Sequence, residues 1–223
     1  MSNKKAITKR TITVLTALGN PESTYKNTRH NAGHIVLDSL LRNQLIPQIC
    51  RNTNNYHWKP WNNGKLHYIS ALTNNLVFIR SDGLFMNTCG PDIIKFWKEL
   101  KNALKDRNSG NNDLQIKHIV LHDELAKGVG KIQYRDFKTS PRGHNGLKSL
   151  LNSCGGNGNP IRFDKIGIGI DRPVERDPRI VADYVLSKFS VDELAILSDK
   201  STLKVLEELE KKGLIPKPKV DFT

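Results

Sequence analysis

The sequence predicts an α/β protein built around one core, and three observations carry that expectation. Its 223 residues are enough for one sizeable core and too few to require two. Short aliphatic and β-branched runs alternate with segments whose apolar residues recur at helical spacing. Glycine, proline and asparagine clusters punctuate the chain where those segments meet. Hydrophobic residues are only 37% of the chain, but they are concentrated in these runs.

The first run, Ile12 to Leu18, reads as a buried strand stopped by Gly19 and Pro21. After a polar loop, Ala32, Ile35, Val36, Ser39 and Leu40 repeat at helical spacing and predict a helix over about 31–43. His30 and Asn31 therefore stand at a helix start, on the same rim as Asn20. In open α/β sheets that rim, at the carboxyl ends of strands, is where ligands bind. Residues 44–64 are rich in Asn and Trp and read as irregular or weakly stranded surface. Leu66 to Leu72 and Leu76 to Arg80 form a hairpin turning at Asn74-Asn75.

A loop from Ser81 to Gly90 then leads into a helix over about 91–104, with Ile93, Ile94, Phe96, Trp97 and Leu100 on its apolar face. By residue type, Phe85 and Met86 in that loop are core plugs, while Asn87 beside them reaches another strand-to-helix rim. Residues 105–114 are a surface loop, and Ile116 to Leu121 is a strand delivering His122 and Asp123 to the rim. Alternation sends His122 to the opposite side from Asp123. Gly130 to Phe137 is another strand. Gly143-His144-Asn145-Gly146 opens a helix of about 145–153 whose N-terminus suits an anion or a carbonyl. A turn over 155–160, a strand from Phe163 to Asp171 and a short helix from Ile180 to Ser187 come next. A final helix runs from Val191 to Lys212 with Leu194, Leu197, Leu203, Leu206 and Leu209 toward the core, ended by Gly213 and Pro216.

Charge and cysteine content narrow the function. Lys and Arg number 35 against 22 Asp and Glu, a net +13 that favours an anionic partner, most economically a nucleic acid. Lys127, Lys131, Arg135, Lys138, Arg142 and Lys148 form the densest basic stretch, suited to phosphates. Cys50, Cys89 and Cys154 are widely spaced, with no CxxC pair, so neither a disulfide framework nor a zinc site is expected. No apolar run has the length of a membrane span, and no Walker or GxGxxG loop is present. Residues 1–10 carry four basic residues and no acid, and read as a basic tail.

Taken alone, His30 can be a helix cap and Asp123 a turn cap. Together with Asn20, Asn87 and Asn145 they make a coherent set: a carboxylate that orients an imidazole base, and amides that donate to a carbonyl oxygen while accepting from N–H groups. No serine or cysteine nucleophile stands at the rim, so water is the expected nucleophile.

At these positions the chain resembles the bacterial-type peptidyl-tRNA hydrolases. The resemblance rests on Leu18-Gly19-Asn20-Pro21 with Tyr25, Thr28-Arg29-His30-Asn31-Ala32-Gly33, Phe85-Met86-Asn87 with Gly90, and His122-Asp123-Glu124-Leu125. Gly143-His144-Asn145-Gly146-Leu147-Lys148 and Ile168-Gly169-Ile170 before Pro173 complete it. It implies a single-domain, three-layer α/β/α fold with a twisted, mixed but mostly parallel sheet, acting as a monomer without metal or other cofactor. The expected domain spans 11–213, between tails at 1–10 and 214–223. The implied activity is hydrolysis of the ester joining a peptide to the 3′-terminal adenosine of tRNA. Carried over by motif, His30 is the catalytic base and Asp123 its orienting partner. Asn20, Asn87 and Asn145 hold peptide, adenosine and water, with Tyr25, Asn31 and Phe85 also assigned to substrate. Lys131, Arg135, Lys138 and Arg142 are assigned to tRNA phosphates.

The chain departs from the family pattern in places. Glu22 follows Asn20-Pro21 where glycine is common, Leu84 and Cys89 stand where threonine and serine are common, and Arg135 to Arg142 replaces a glycine-rich run. An arginine often found before the Ile-Gly-Ile strand corresponds to Gly167, with Lys165 nearby. Two other readings remain open on the sequence: a non-catalytic, splicing-associated RNA-binding protein on the same scaffold, and a hydrolase of small esters or amides. The Asn-rich insertions and basic start fit a eukaryotic member, fungal or other, in the mitochondrion or the cytoplasm, with no membrane association.

Overall fold

The structure, a computed structural model, describes residues 10–49, 57–107, 114–155 and 160–215. The basic residues of 1–9, Cys50, most of the expected loop at 105–114, residues 156–159 of the expected turn and Pro216 lie outside them. Seven strands form one sheet: β1 (Arg10–Ala17), β2 (Lys59–Trp61), β3 (Leu66–Ala71), β4 (Leu76–Arg80), β5 (Leu114–Glu124), β6 (Ile132–Arg135) and β7 (Phe163–Gly169). Their order is β2-β3-β4-β1-β5-β7-β6. The four inner strands β4, β1, β5 and β7 are parallel, β3 and β6 run against them, and β2 pairs antiparallel with β3 at one edge. The inner strands are buried on both faces, which is why they read as near-continuous aliphatic runs.

Helices cover both faces, so the expected three layers are present. The chain adds α1 (Glu22–Tyr25), α2 (Ala32–Leu40), α3 (Ile46–Ile49), α4 (Gly90–Arg107), α5 (Asn145–Cys154), α6 (Pro178–Leu186), α7 (Val191–Ile196) and α8 (Thr202–Lys211). Alternation along β1 shows the division. Leu15 and Ala17 join a core with Val36, Leu37 and Leu40 of α2 and Val205 and Leu209 of α8. Ile12 and Val14 join a second core with Ile93 and Trp97 of α4 and Leu147 and Leu150 of α5.

Several local expectations change. The single C-terminal helix is interrupted by a π turn at Leu197–Ser201, which inserts a residue and rotates the helix beyond it. Leu203, expected in the core, is consequently 45% exposed, while Ser201, Thr202 and Val205 turn inward. The expected strand from Gly130 to Phe137 shrinks to Ile132–Arg135. β5 runs past Leu121 to Glu124 because β7 pairs with it as far as Gly169. The packed unit is also wider than 11–213. Arg10 opens β1 and donates to Asn75 Oδ1, Leu214 O accepts from Thr13 Oγ1, and Ile215 is buried.

One glycine sets how closely α2 approaches the sheet. A Cβ on Gly33 would meet Leu18 O and Leu121 O at 2.8 and 2.7 Å, and backbone at both contacts cannot step aside. Gly33→Ala is therefore expected to destabilise the fold by about 1–3 kcal/mol through overpacking. Urea denaturation measures it, and an unchanged midpoint would show that α2 has slack the geometry does not suggest.

Candidate active site

Residues from separated parts of the chain meet at the carboxyl edge of the parallel strands. After β1, Asn20 is held by reciprocal bonds with Asn31: Asn20 N–H donates to Asn31 Oδ1 at 2.8 Å, and Asn31 Nδ2 donates to Asn20 O at 3.0 Å. Asn31 is 1% exposed and its amide is spent on this clip, so it shapes the Asn20 turn and is absent from the cavity wall. Asn20 Oδ1 in turn accepts from Met86 N–H at 2.9 Å, which turns its NH₂ group away from that contact.

His30 lies on a single 3₁₀ turn, Arg29–Asn31, whose two flanks are pinned. On one side Arg29 makes a two-oxygen pair with Glu193 at 2.8 and 3.0 Å and donates to Ile170 O at 3.1 Å. Its guanidinium also stacks near the Tyr184 and Phe189 rings, at 4.6 and 4.9 Å. On the other side stands the Asn31 clip. The imidazole between them reaches Asp123 Oδ1 through Nδ1 at 2.8 Å.

Asp123 Oδ1 receives a second imidazole. His144 Nε2 lies 2.8 Å from the same oxygen, and His144 Nδ1 accepts from Leu147 N–H at 3.1 Å, capping α5. Gly143, at φ +88°, supplies the left-handed turn that brings His144 there. A nitrogen that accepts from an amide carries no proton, so His144 must be protonated on Nε2 and donate to Asp123. His30 likewise donates from Nδ1. Its Nε2 is thereby left as a lone pair, with no partner among the described residues.

The charges of the cluster are set by these contacts. Burial opposes the charge of Asp123, but the two imidazoles hold its carboxyl well below the ordinary range. Burial alone would lower the His30 pKa, yet the Asp123 charge and hydrogen bond raise it above 6.5. His122 faces the other layer, as alternation requires, and there meets the His144 ring edge-on with centroids 5.0 Å apart. Burial, then the neighbouring His144, push His122 down to about 3, so it stays neutral.

His30, Asp123 and His144 are ligand types whose atoms lie within 4.8 Å of one another. The proton count argues against a metal ion. A cation on His144 Nε2 would displace its proton to Nδ1, against the Leu147 N–H. Cys89 is buried and its thiol is pushed up to about 12, chiefly by burial, so no thiolate is offered either.

The cavity around this cluster measures about 800 Å³. Asn20, Tyr25, His30, Phe85, Asn87, Asp123, Arg142 and Asn145 line it, together with His144 and residues of α6. Asn87 sits on the 3₁₀ turn Met86–Thr88 and Asn145 begins α5, both exposed at the mouth. Phe85 corrects the core-plug reading: it is 56% exposed, with Tyr25 edge-on to it at 6.2 Å, while Met86 is buried as expected.

The phosphate assignments divide. Lys131, Lys138 and Arg142 are exposed. Arg135 differs from the others: it is buried, and its Nη2 lies 2.9 Å from Glu124 Oε2 and donates to Gln133 Oε1 at 2.6 Å, so its charge is already matched by a carboxylate inside the protein. Lys165 is also buried, and its Nζ donates to Thr139 O at 2.9 Å and Phe137 O at 3.4 Å. Together with Asp164, which accepts from Phe137 N–H, it holds the loop leading to Arg142 from below.

His144 is the participant that sequence reasoning missed, since it read as part of a glycine turn. Its effect can be isolated with His144→Asn, which keeps a cap on α5 but drops the bond to Asp123. With the Asp123 charge then shared by one imidazole, the acid limb of the pH–rate profile is expected to move to higher pH. A limb that stays in place would mean His144 does not tune His30.

The sheet and its rim define an α/β protein equipped for general-base chemistry at the carboxyl ends of parallel strands. The chain belongs to the peptidyl-tRNA hydrolase family, whose model matches residues 14–215. It is 39% identical over 191 residues to the peptidyl-tRNA hydrolase of Saccharomyces cerevisiae, covering 84% of this chain and 90% of that one. It is 34% identical over 180 residues to the Bacillus subtilis peptidyl-tRNA hydrolase, covering 81% of each. Among solved structures, peptidyl-tRNA hydrolase from Acinetobacter baumannii superposes with a TM-score of 0.63 at 23% identity, covering 91% of this chain and 90% of the other, a likeness of fold.

Proposed function

We propose that this protein hydrolyses peptidyl-tRNA, cleaving the ester between a peptide and the 3′-terminal adenosine to release free tRNA and peptide. Membership of the family supports the substrate, and one observation supports the chemistry: His30 is bonded through Nδ1 to a buried carboxylate in the wall of an 800 Å³ cavity. In this reading His30 Nε2 takes a proton from water as the water attacks the ester carbonyl. The positive imidazolium is stabilised by Asp123. The side-chain amides of Asn20, Asn87 and Asn145 donate to the tetrahedral oxyanion and position peptide and adenosine. Collapse of the intermediate returns the proton from His30 to the departing 3′ oxygen.

The unit from β1 to Ile215 acts as one catalytic domain and as a monomer, and needs no metal. Exposed Lys131, Lys138 and Arg142 contact tRNA phosphates, so substrate affinity falls as salt rises. None of the described helices is long and apolar enough to cross a membrane. The working compartment is the mitochondrion or the cytoplasm. The test is release of free tRNA from N-acetylated aminoacyl-tRNA by the purified chain. A chain that binds this substrate but never turns it over would remove the assignment.

A further inference from the structure

A second charged cluster is made by residues that do not line the cavity. At the end of β4, the Arg80 guanidinium is 7% exposed and gathers three carboxylates. Nη1 donates to both oxygens of Asp38 in α2, at 3.1 and 2.9 Å, while Nη2 lies 2.5 Å from Glu22 Oε1 and 3.7 Å from Asp82 Oδ2. Asp82 is paired with His67 at 2.8 Å, and the Trp58 ring lies 5.3 Å from the guanidinium. Burial pushes the Asp38 carboxyl up to about 6 against the attraction of Arg80, and Glu22 adds to the rise.

Glu22 is the member of this cluster that connects to the site. It opens α1, two residues after Asn20 and three before Tyr25, and both of those residues line the cavity. α1 is only four residues long, buries none of them and has no side-chain cap. Its internal ties are Thr24 and Tyr25 N–H donating to Pro21 O, at 3.2 and 2.9 Å. A helix this short is not stable by itself, so its position depends on outside attachments. Glu22 to Arg80 is the ion pair that ties it to the sheet. Tyr25 in turn leans on the exposed Phe85 ring across the cavity.

We propose that Glu22 is a positioning residue for the hydrolysis: its ion pair with Arg80 holds α1 against the sheet and so sets the cavity wall formed by Tyr25 and Phe85. The proposal rests on the peptidyl-tRNA reading for its substrate, and on geometry alone for the tether. Removing the Glu22 charge leaves Arg80 paired with Asp38 and Asp82, so the fold is kept while α1 loosens. Substrate binding weakens and the chemical step does not.

The test is Glu22→Gln, read in two ways. Hydrogen exchange at the Tyr25 amide, which needs no substrate, is expected to accelerate while amides of β1 and β4 keep their protection. With N-acetylated aminoacyl-tRNA, KM is expected to rise about threefold to tenfold with kcat within twofold, and the thermal midpoint is expected to hold or rise. Unchanged exchange at Tyr25 overturns the tether. Faster exchange with an unchanged KM overturns its role in substrate binding, as does a lowered thermal midpoint with kcat falling in parallel. A wild-type chain without turnover defeats the substrate reading instead, and the exchange result still decides the tether.

Discussion

His30→Ala lowers kcat for N-acetylated aminoacyl-tRNA by about 10²- to 10⁴-fold, the usual loss when one general base is removed. The fold survives the change, because Asp123 keeps its bond from His144 and the flanks of His30 are pinned independently by Arg29 and Asn31. KM therefore changes little, and the loss is confined to the step in which water loses its proton. Single-turnover rates on enzyme checked by circular dichroism measure the effect. A variant with wild-type turnover would require another base, and none of the other cavity residues offers one as well placed. His144 has its Nδ1 committed to Leu147, and His122 is buried with its own Nδ1 on Asp123 O at 2.7 Å.

Asp123→Asn is the second large effect, with an expected fall in kcat of about 10²- to 10³-fold. Its pH signature is more informative than its size. In the wild type the working base is neutral His30, whose pKa the Asp123 charge lifts above 6.5 against burial, so activity rises with pH through a midpoint above 6.5. Without that charge only the burial penalty is left, and the limb moves below 6.5. Stability depends on the same pair with opposite signs. The depressed Asp123 pKa contributes stability above its ordinary value of 3.8 and loses it as pH falls. The raised His30 pKa contributes below 6.5 and loses it as pH climbs through the folded value. The ion pair accordingly supports the fold most between those two limits. A limb that does not move in the Asn variant would show that another group governs His30.

Much of this arrangement was legible in the chain itself. Strands β1, β4 and β5 announce themselves by aliphatic runs buried on both faces, and His30 and Asp123 fall on one rim because each follows such a run. The features that stayed hidden depended on partners distant in sequence. Arg135 looked like a surface charge because Glu124, which neutralises it, lies on another strand. Phe85 looked like core because a phenylalanine is usually buried, and only the cavity beside it explains its exposure. Leu203 follows a regular helical period, and a π turn with no local sequence mark takes it out of phase. The double use of one Asp123 oxygen could not be read from spacing, since it needs α5 to bring His144 over the end of β5.

The dispersal of these parts along the chain also bears on the protein's own synthesis. Its base comes early, at residue 30, but the orienting acid is residue 123, its second imidazole residue 144, and the anchor of Arg29 is Glu193. Parallel strands joined by long crossovers cannot pair until those later segments exist. A growing copy is itself joined to tRNA by an ester, and until those later segments emerge it lacks the completed means to sever that bond. The site is complete only once Glu193 has followed His30, Asp123 and His144 out of the ribosome.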